Sequence, residues 1–180
     1  MTPLTPWMAS VHELGSEAAH MDAVSWLVEV GSITARLRTR WPALSVVVLH
    51  EGMGTPTVQE FARLGIEGPA PCWLRTVRLQ SDGRALVHAR TVIPGWPPNN
   101  PWHQVSRLGQ RPLGELLFNL PGLTRSPLEF ALTTPYADAA SHRGEPVPSR
   151  RRVHTRGGAP LLLTEAFDLL TQTERCPAQA

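Results

Sequence analysis

CWLRTVRLQSDGRALVHARTVIP, residues 72–94, decides the fold. Two runs rich in Val, Leu, Ile and Trp flank Asp82-Gly83, a pair whose backbone takes the positive φ angles of a two-residue type I′ turn, so the stretch reads as a β-hairpin. With Asp82 and Gly83 as the loop, Ser81 faces Arg84, and counting outward pairs Leu79 with Leu86, Val77 with His88 and Arg75 with Arg90. Side chains alternate along a strand, which puts Trp73, Arg75, Val77 and Leu79 on one face. Arg75 then points into an apolar surface opposite a second arginine, where like charges repel and water is scarce. Either an anion lies between the two, or the arginine reaches along its methylenes to solvent at a sheet edge.

A second hairpin poses the same problem with the opposite sign. Residues 149–168, SRRRVHTRGGAPLLLTEAFD, turn at Gly157-Gly158, and Leu161, Leu163, Glu165 and Phe167 share a face of the return strand. A carboxylate inside an apolar row must be hydrogen-bonded, protonated or paired. Glu165 is therefore read as the acidic counterpart of Arg75, either across a ligand site or as its structural partner.

Between and around the hairpins the pattern is mixed. Residues 1–21 read as a loosely attached N-terminal arm. Residues 22–30, DAVSWLVEV, carry apolar positions at helical spacing with Asp22 as a cap, and Gly31 closes that helix. Ser32 is placed to cap a second helix over 33–40, whose first amides, at Ser32, Ile33 and Thr34, either receive a carboxylate or form an ordinary helix start. A strand is expected over 44–50, a short helix over 58–64, and short helices over 102–108 and 113–118. Pro112 opens the last of these and leaves the amides of Leu113 and Gly114 free to donate. Residues 123–133 read as an edge strand because Pro127 interrupts them. The proline-rich loop 95–101 and the polar stretch 135–148 are read as surface loops or flaps over a site, and residues 171–180 as a fraying tail. The sum is an α+β domain over 22–170, built on an antiparallel sheet of about six strands arranged mainly as hairpins, with three to five short helices.

Composition narrows the function classes. The 180 residues are 42% hydrophobic and 18% charged, with a formal net charge of +2, which indicates a globular chain with no polyanion-binding surplus. All 17 basic residues are arginine, so the Arg150-Arg151-Arg152 run is weak ground for nucleic-acid binding. The two cysteines and seven histidines lack metal-ligand or redox spacing, and no glycine-rich phosphate loop or dinucleotide fingerprint occurs. No signal-like segment is found, and the longest apolar run falls far short of the about 20 residues a membrane span needs. A soluble cytoplasmic protein, doing cofactor-free chemistry or simple binding, is the expectation.

Four segments resemble chorismate lyase, the chorismate pyruvate-lyase of bacterial ubiquinone synthesis: SWLVEVGSITARL, the first hairpin, LGQRPLGELLF and PLLLTEAF, in that order. The resemblance runs from about residue 23 to residue 170. It implies a monomeric domain with a six-stranded antiparallel sheet, helices on one side and a buried site under flaps, converting chorismate to 4-hydroxybenzoate and pyruvate, with no metal or cofactor and no nucleic-acid partner. Position by position, the family's ligand-binding arginine falls on Arg75, its carboxylate on Glu165, its backbone contacts on Ile33 and Leu113, and a second arginine on Arg90. The resemblance thus places the ring carboxylate on Arg75 and the Leu113 and Ile33 amides, the enolpyruvyl end near Arg90, and the ring 4-hydroxyl at Glu165. The family's Trp-Gly-Arg-Arg-Ser stretch corresponds to Pro148-Ser149-Arg150-Arg151-Arg152, where proline replaces tryptophan and local flap packing should differ. Two other readings stand beside it: a non-catalytic aromatic-acid domain of the kind found in transcription regulators, and a structural domain with buried Arg–Glu pairs that takes no ligand.

Overall fold

A computed structural model describes residues 1–18, 21–68, 70–96, 99–134 and 146–170, with the side chains of 16–18, 21 and 22 left out of the description. The expected flap over 135–148 lies almost wholly outside the described residues, and the C-terminal tail does so entirely. Among the described residues there are eight strands: β1 (Thr2–Pro3), β2 (Ser45–Gly54), β3 (Cys72–Ser81), β4 (Arg84–Pro94), β5 (Thr124–Arg125), β6 (Glu129–Thr134), β7 (Val147–Arg156) and β8 (Ala159–Ala166). They form one antiparallel sheet in the order β1-β6-β7-β8-β4-β3-β2, with β5 paired to β7. Two of the eight span only two residues, so the expected six-stranded sheet is its substantial part. The helices are α1 (Met21–Leu27), α2 (Ile33–Arg40), α3 (Val58–Leu64) and α4 (Leu113–Asn119), with 3-10 turns at Val11–Ala18, His103–Arg107 and Asp168–Leu170. Among the described residues no helix is long and apolar enough to cross a membrane.

Both hairpin turns have the backbone their residues favour: φ is 51° at Asp82 and 77° at Gly83, and 54° and 78° at Gly157 and Gly158. The register of the first hairpin nevertheless departs from simple counting. Ser81 faces Arg84 and Gln80 faces Ala85, but Leu79 then faces Val87, leaving Leu86 as an extra residue in β4. Ala85, Leu86 and Val87 are all apolar, so no alternation marks the bulge, and both Leu86 and Val87 pack into the main core. Beyond the bulge every pairing shifts by one. Arg75 faces Thr91, and Arg90 faces Thr76 and emerges on the opposite side of the sheet, so the expected Arg75–Arg90 pair does not exist.

One face of the sheet packs against α1 and α2, through Trp26, Leu27, Ile33 and Leu37 against Val77, Leu79, Val87, Phe130 and Phe167. It continues under α4, where Leu113 and Leu117 join Trp73, Ile93, Trp102 and Leu161. The reverse face takes α3, with Phe61 and Leu64 on Cys72, Leu74, Val92 and Leu162, and also the N-terminal segment, with Met1 on Val147 and Ala166. The N-terminal segment, expected to hang loosely, is tied to the sheet. β1 pairs with β6, Met8 bridges to Phe130, and Val11 and Leu14 enter the core. A two-residue strand has no local signature, which is why periodicity misses it, and it covers the edge that β6 was expected to leave open.

Arg90 has its own role on the reverse face. Its Nε and Nη2 donate to Glu60 at 2.6 and 3.1 Å, and Glu60 also completes the N-terminal capping box of α3 with Thr57. Glu60→Ala should take the paired carboxylate from a buried guanidinium and uncap α3 together, costing about 3–5 kcal/mol of stability in urea unfolding.

Candidate functional site

The other face carries a cavity whose floor follows from strand pairing. Two cross-sheet rows run beneath it, Arg75–Thr91–Leu163–Arg152 and Val77–Ala89–Glu165–Arg150, and all eight residues line it. His154 extends the floor along β7. The roof comes from Gly31 and the starts of α2 and α4: Ile33, Thr34, Pro112, Leu113 and Gly114. Of the residues singled out in the sequence, Ile33, Arg75, Leu113 and Glu165 therefore meet in one cavity, and Arg90 is absent from its lining.

Arg75 is 1% exposed and is held from three directions. Its Nε donates to Glu51 Oε2 at 3.2 Å, across the β2–β3 ladder, and its Nη2 donates to the carbonyls of Gly109 at 2.6 Å and Arg111 at 3.2 Å. The left-handed backbone of Gly109, with φ of 53°, belongs to the turn that offers one of these carbonyls. Burial pulls the Arg75 guanidinium below the ordinary arginine value, and Glu51 opposes that pull. The arginine is thus a cation in the sheet and a tether for the loop that leads into α4.

Glu165 is paired with Arg150, not with Arg75. Arg150 Nε donates to Glu165 Oε2 at 2.7 Å, while its Nη1 donates to the carbonyls of Leu27 at 3.1 Å and Glu29 at 2.6 Å. One guanidinium fork so binds a carboxylate of the floor and the end of α1. The counting that misleads in the first hairpin is sound in the second. From Gly157-Gly158 it places His154 opposite Leu161, Arg152 opposite Leu163 and Arg150 opposite Glu165, as observed. That register is the signal by which Arg150, Arg152 and His154 were legible.

The helix starts in the roof supply donors. The Ser32 hydroxyl accepts from the Ala35 amide at 3.2 Å, and the first amides of the helix, those of Ile33 and Thr34, have no partner within it. Pro112 precedes α4 and offers no side-chain cap. A Cβ at Gly114 would lie 3.5 Å from Thr34 Oγ1 and 3.6 Å from Ser32 Oγ, so the two starts are neighbours, and an Arg38–Glu115 ion pair ties the helices together outside.

The lining is electropositive. Arg75, Arg125, Arg150, Arg151 and Arg152 stand against Glu29 and Glu165, although the Arg151 guanidinium itself is bound to Glu129. His154, 4% exposed, reports the surplus: burial first, then Arg152, Arg125 and Arg150, push its imidazole down to about 3. Below its unfolded value of about 6.5 the unfolded chain takes up a proton that the native one refuses, so stability falls as pH drops from there toward 3. His154→Leu should remove that dependence. Between pH 7 and pH 4 the wild type should lose roughly 3 kcal/mol more than the variant in parallel urea melts.

A family model described as chorismate lyase matches residues 7–174. A probable chorismate pyruvate-lyase of Hydrogenovibrio crunogenus is 38% identical over 161 residues, covering 87% of this chain and 85% of that protein. One from Marinobacter nauticus is 37% identical over 166 residues, covering 91% and 86%. Among solved structures, the effector domain of PhnF from Mycobacterium smegmatis superposes with a TM-score of 0.52 at 15% identity, over 78% of this chain and 90% of that one, a likeness of fold alone.

Proposed function

Since the chain belongs to the chorismate lyase family, we propose that it removes pyruvate from chorismate to leave 4-hydroxybenzoate, the committing step toward ubiquinone. The observation that carries this reading is the meeting of Ile33, Arg75, Leu113 and Glu165 in one electropositive cavity. Chorismate is a dianion, and a buried lining with more arginines than carboxylates attracts such a ligand.

In this reading Arg75 and the amides of Leu113 and Ile33 grip the ring carboxylate through charge-assisted hydrogen bonds. Glu165, oriented by Arg150, meets the ring 4-hydroxyl. The C4–H proton leaves, its electron pair forms the ring double bond, and the C3–O bond breaks with its pair on the departing enolpyruvate. That fragment takes up a proton and becomes pyruvate. Aromatisation drives the step downhill, so the protein needs only to orient the ring and assist proton movement, without a metal or organic cofactor. The protein acts as a cytoplasmic monomer with no nucleic-acid partner. The test is incubation of chelator-treated protein with chorismate. 4-Hydroxybenzoate and pyruvate should form in equal amounts, well above the uncatalysed rate, and binding without turnover would sink the enzyme reading.

A further inference from the structure

We propose that Arg152 and His154 form a second anion subsite at the far end of the cavity from Arg75, one that takes the enolpyruvyl carboxylate. The identity of that carboxylate rests on the chorismate reading; the subsite itself rests on geometry. The other arginines of the floor are each anchored by three acceptors, Arg75 through Nε and Nη2 by Glu51 and two carbonyls, Arg150 through Nε and Nη1 by Glu165 and two carbonyls. Arg152 differs. Its Nε is buried and finds no hydrogen-bond partner among the described residues, and the same holds for both ring nitrogens of His154, the next residue on that face of β7. Donors left unsatisfied inside a protein are costly, and adjacent ones in a ligand cavity are better explained by a missing acceptor than by two separate defects.

The surroundings select the acceptor's charge. Arg150 and Arg125 press on both residues electrostatically, with Glu165 as the opposing charge at Arg152. An anion is the partner that relieves all of them. Spacing fits a ligand with two negative ends. Arg75 and Arg152 close one cross-sheet row of four strands, roughly 14 Å apart at the backbone, and both lie on the face lined by the cavity. Arg90 cannot serve that end, because its guanidinium is engaged with Glu60 on the reverse face.

The experiment compares a dianion with a monoanion. In Arg152→Gln, kcat/KM for chorismate should fall about 10- to 100-fold, mainly through KM, and His154→Leu should show a smaller loss in the same direction. Affinity for 4-hydroxybenzoate, which has one carboxylate, should stay within about twofold. Because Arg152 Nε has no hydrogen-bond partner among the described residues, and Arg150 and Arg125 outweigh Glu165 among its charged neighbours, the melting temperature of Arg152→Gln should not drop. Equal weakening of substrate and product, or an unchanged KM, overturns the subsite. A dead wild type would instead overturn the lyase reading, and the subsite is then tested by binding alone. 3-(Carboxymethoxy)benzoate should bind the wild type at least tenfold more tightly than 3-methoxybenzoate, and Arg152→Gln should erase that preference. A wild type that shows no preference refutes it.

Discussion

Arg75→Ala should weaken chorismate and 4-hydroxybenzoate alike, by about 100- to 1,000-fold, because in the proposed binding mode both present a ring carboxylate to the same guanidinium. The range follows from losing charge-assisted hydrogen bonds, at about 1.5–3 kcal/mol each, with some reorganisation of the roof added. That reorganisation is specific. The Gly109 and Arg111 carbonyls lose their donor, and the loop that delivers Leu113 to the cavity loses its anchor on the sheet. Glu51 is left without its cation, but it is partly solvated, so the stability cost should be smaller than the binding cost. Arg75→Lys should fall between the two, since an ammonium keeps the charge and cannot reproduce a fork that spans Glu51 and two carbonyls. Fluorescence titration of both ligands, with thermal unfolding alongside, checks the separation. Unchanged affinity in Arg75→Ala would move the site elsewhere.

The expected pattern distinguishes the two ends of the cavity. Arg75 variants should lose product and substrate together, whereas Arg152 variants should lose substrate selectively. Were all the arginines merely structural, with no ligand between them, substitutions at either end would change stability and leave no ligand discrimination to measure.

Legibility in the sequence followed the range of the interaction. The bounds of α2 and α3 coincide with those expected because each start is written locally, in the Ser32 side chain bonding Ala35 and in the Thr57–Glu60 box. The turns Asp82-Gly83 and Gly157-Gly158 are equally local, and both hairpins follow from them. Register is less local. One uncounted residue, Leu86, turned Arg90 to the wrong face, and nothing in an all-apolar run reveals where a strand bulges. Charge pairing is less local still. Glu165 was rightly placed on a buried face, yet its partner is the arginine directly opposite it on β7, while Arg75 found its carboxylate on β2. The arginine-rich composition hid this, because a run of three arginines reads as a solvated surface until alternate side chains are assigned to opposite faces. Arg150 and Arg152 face the cavity, and Arg151 meets Glu129.

Arg150→Met should destabilise the fold as much as Glu60→Ala does. Methionine matches the stem and packs as well against Phe167, whose ring lies 5.5 Å from the arginine's guanidinium carbon, so packing is largely kept while all three polar contacts vanish. What remains is a carboxylate on the floor without its cation and two carbonyls at the end of α1 without their donor. Breaking such a pair by removing one partner costs about 3–5 kcal/mol, a large share of the stability of a domain this size. If the stranded charge is the main cost, Arg150→Met with Glu165→Gln should be more stable than Arg150→Met alone, a non-additivity readable in urea melts. If the lost α1 contacts dominate, the second substitution should recover nothing. Turnover separates the roles further. Glu165→Gln alone keeps the tie between β7 and α1, so its loss of kcat should come with little loss of fold, whereas Arg150→Met should lower both because it disorients the carboxylate and loosens the wall beside it.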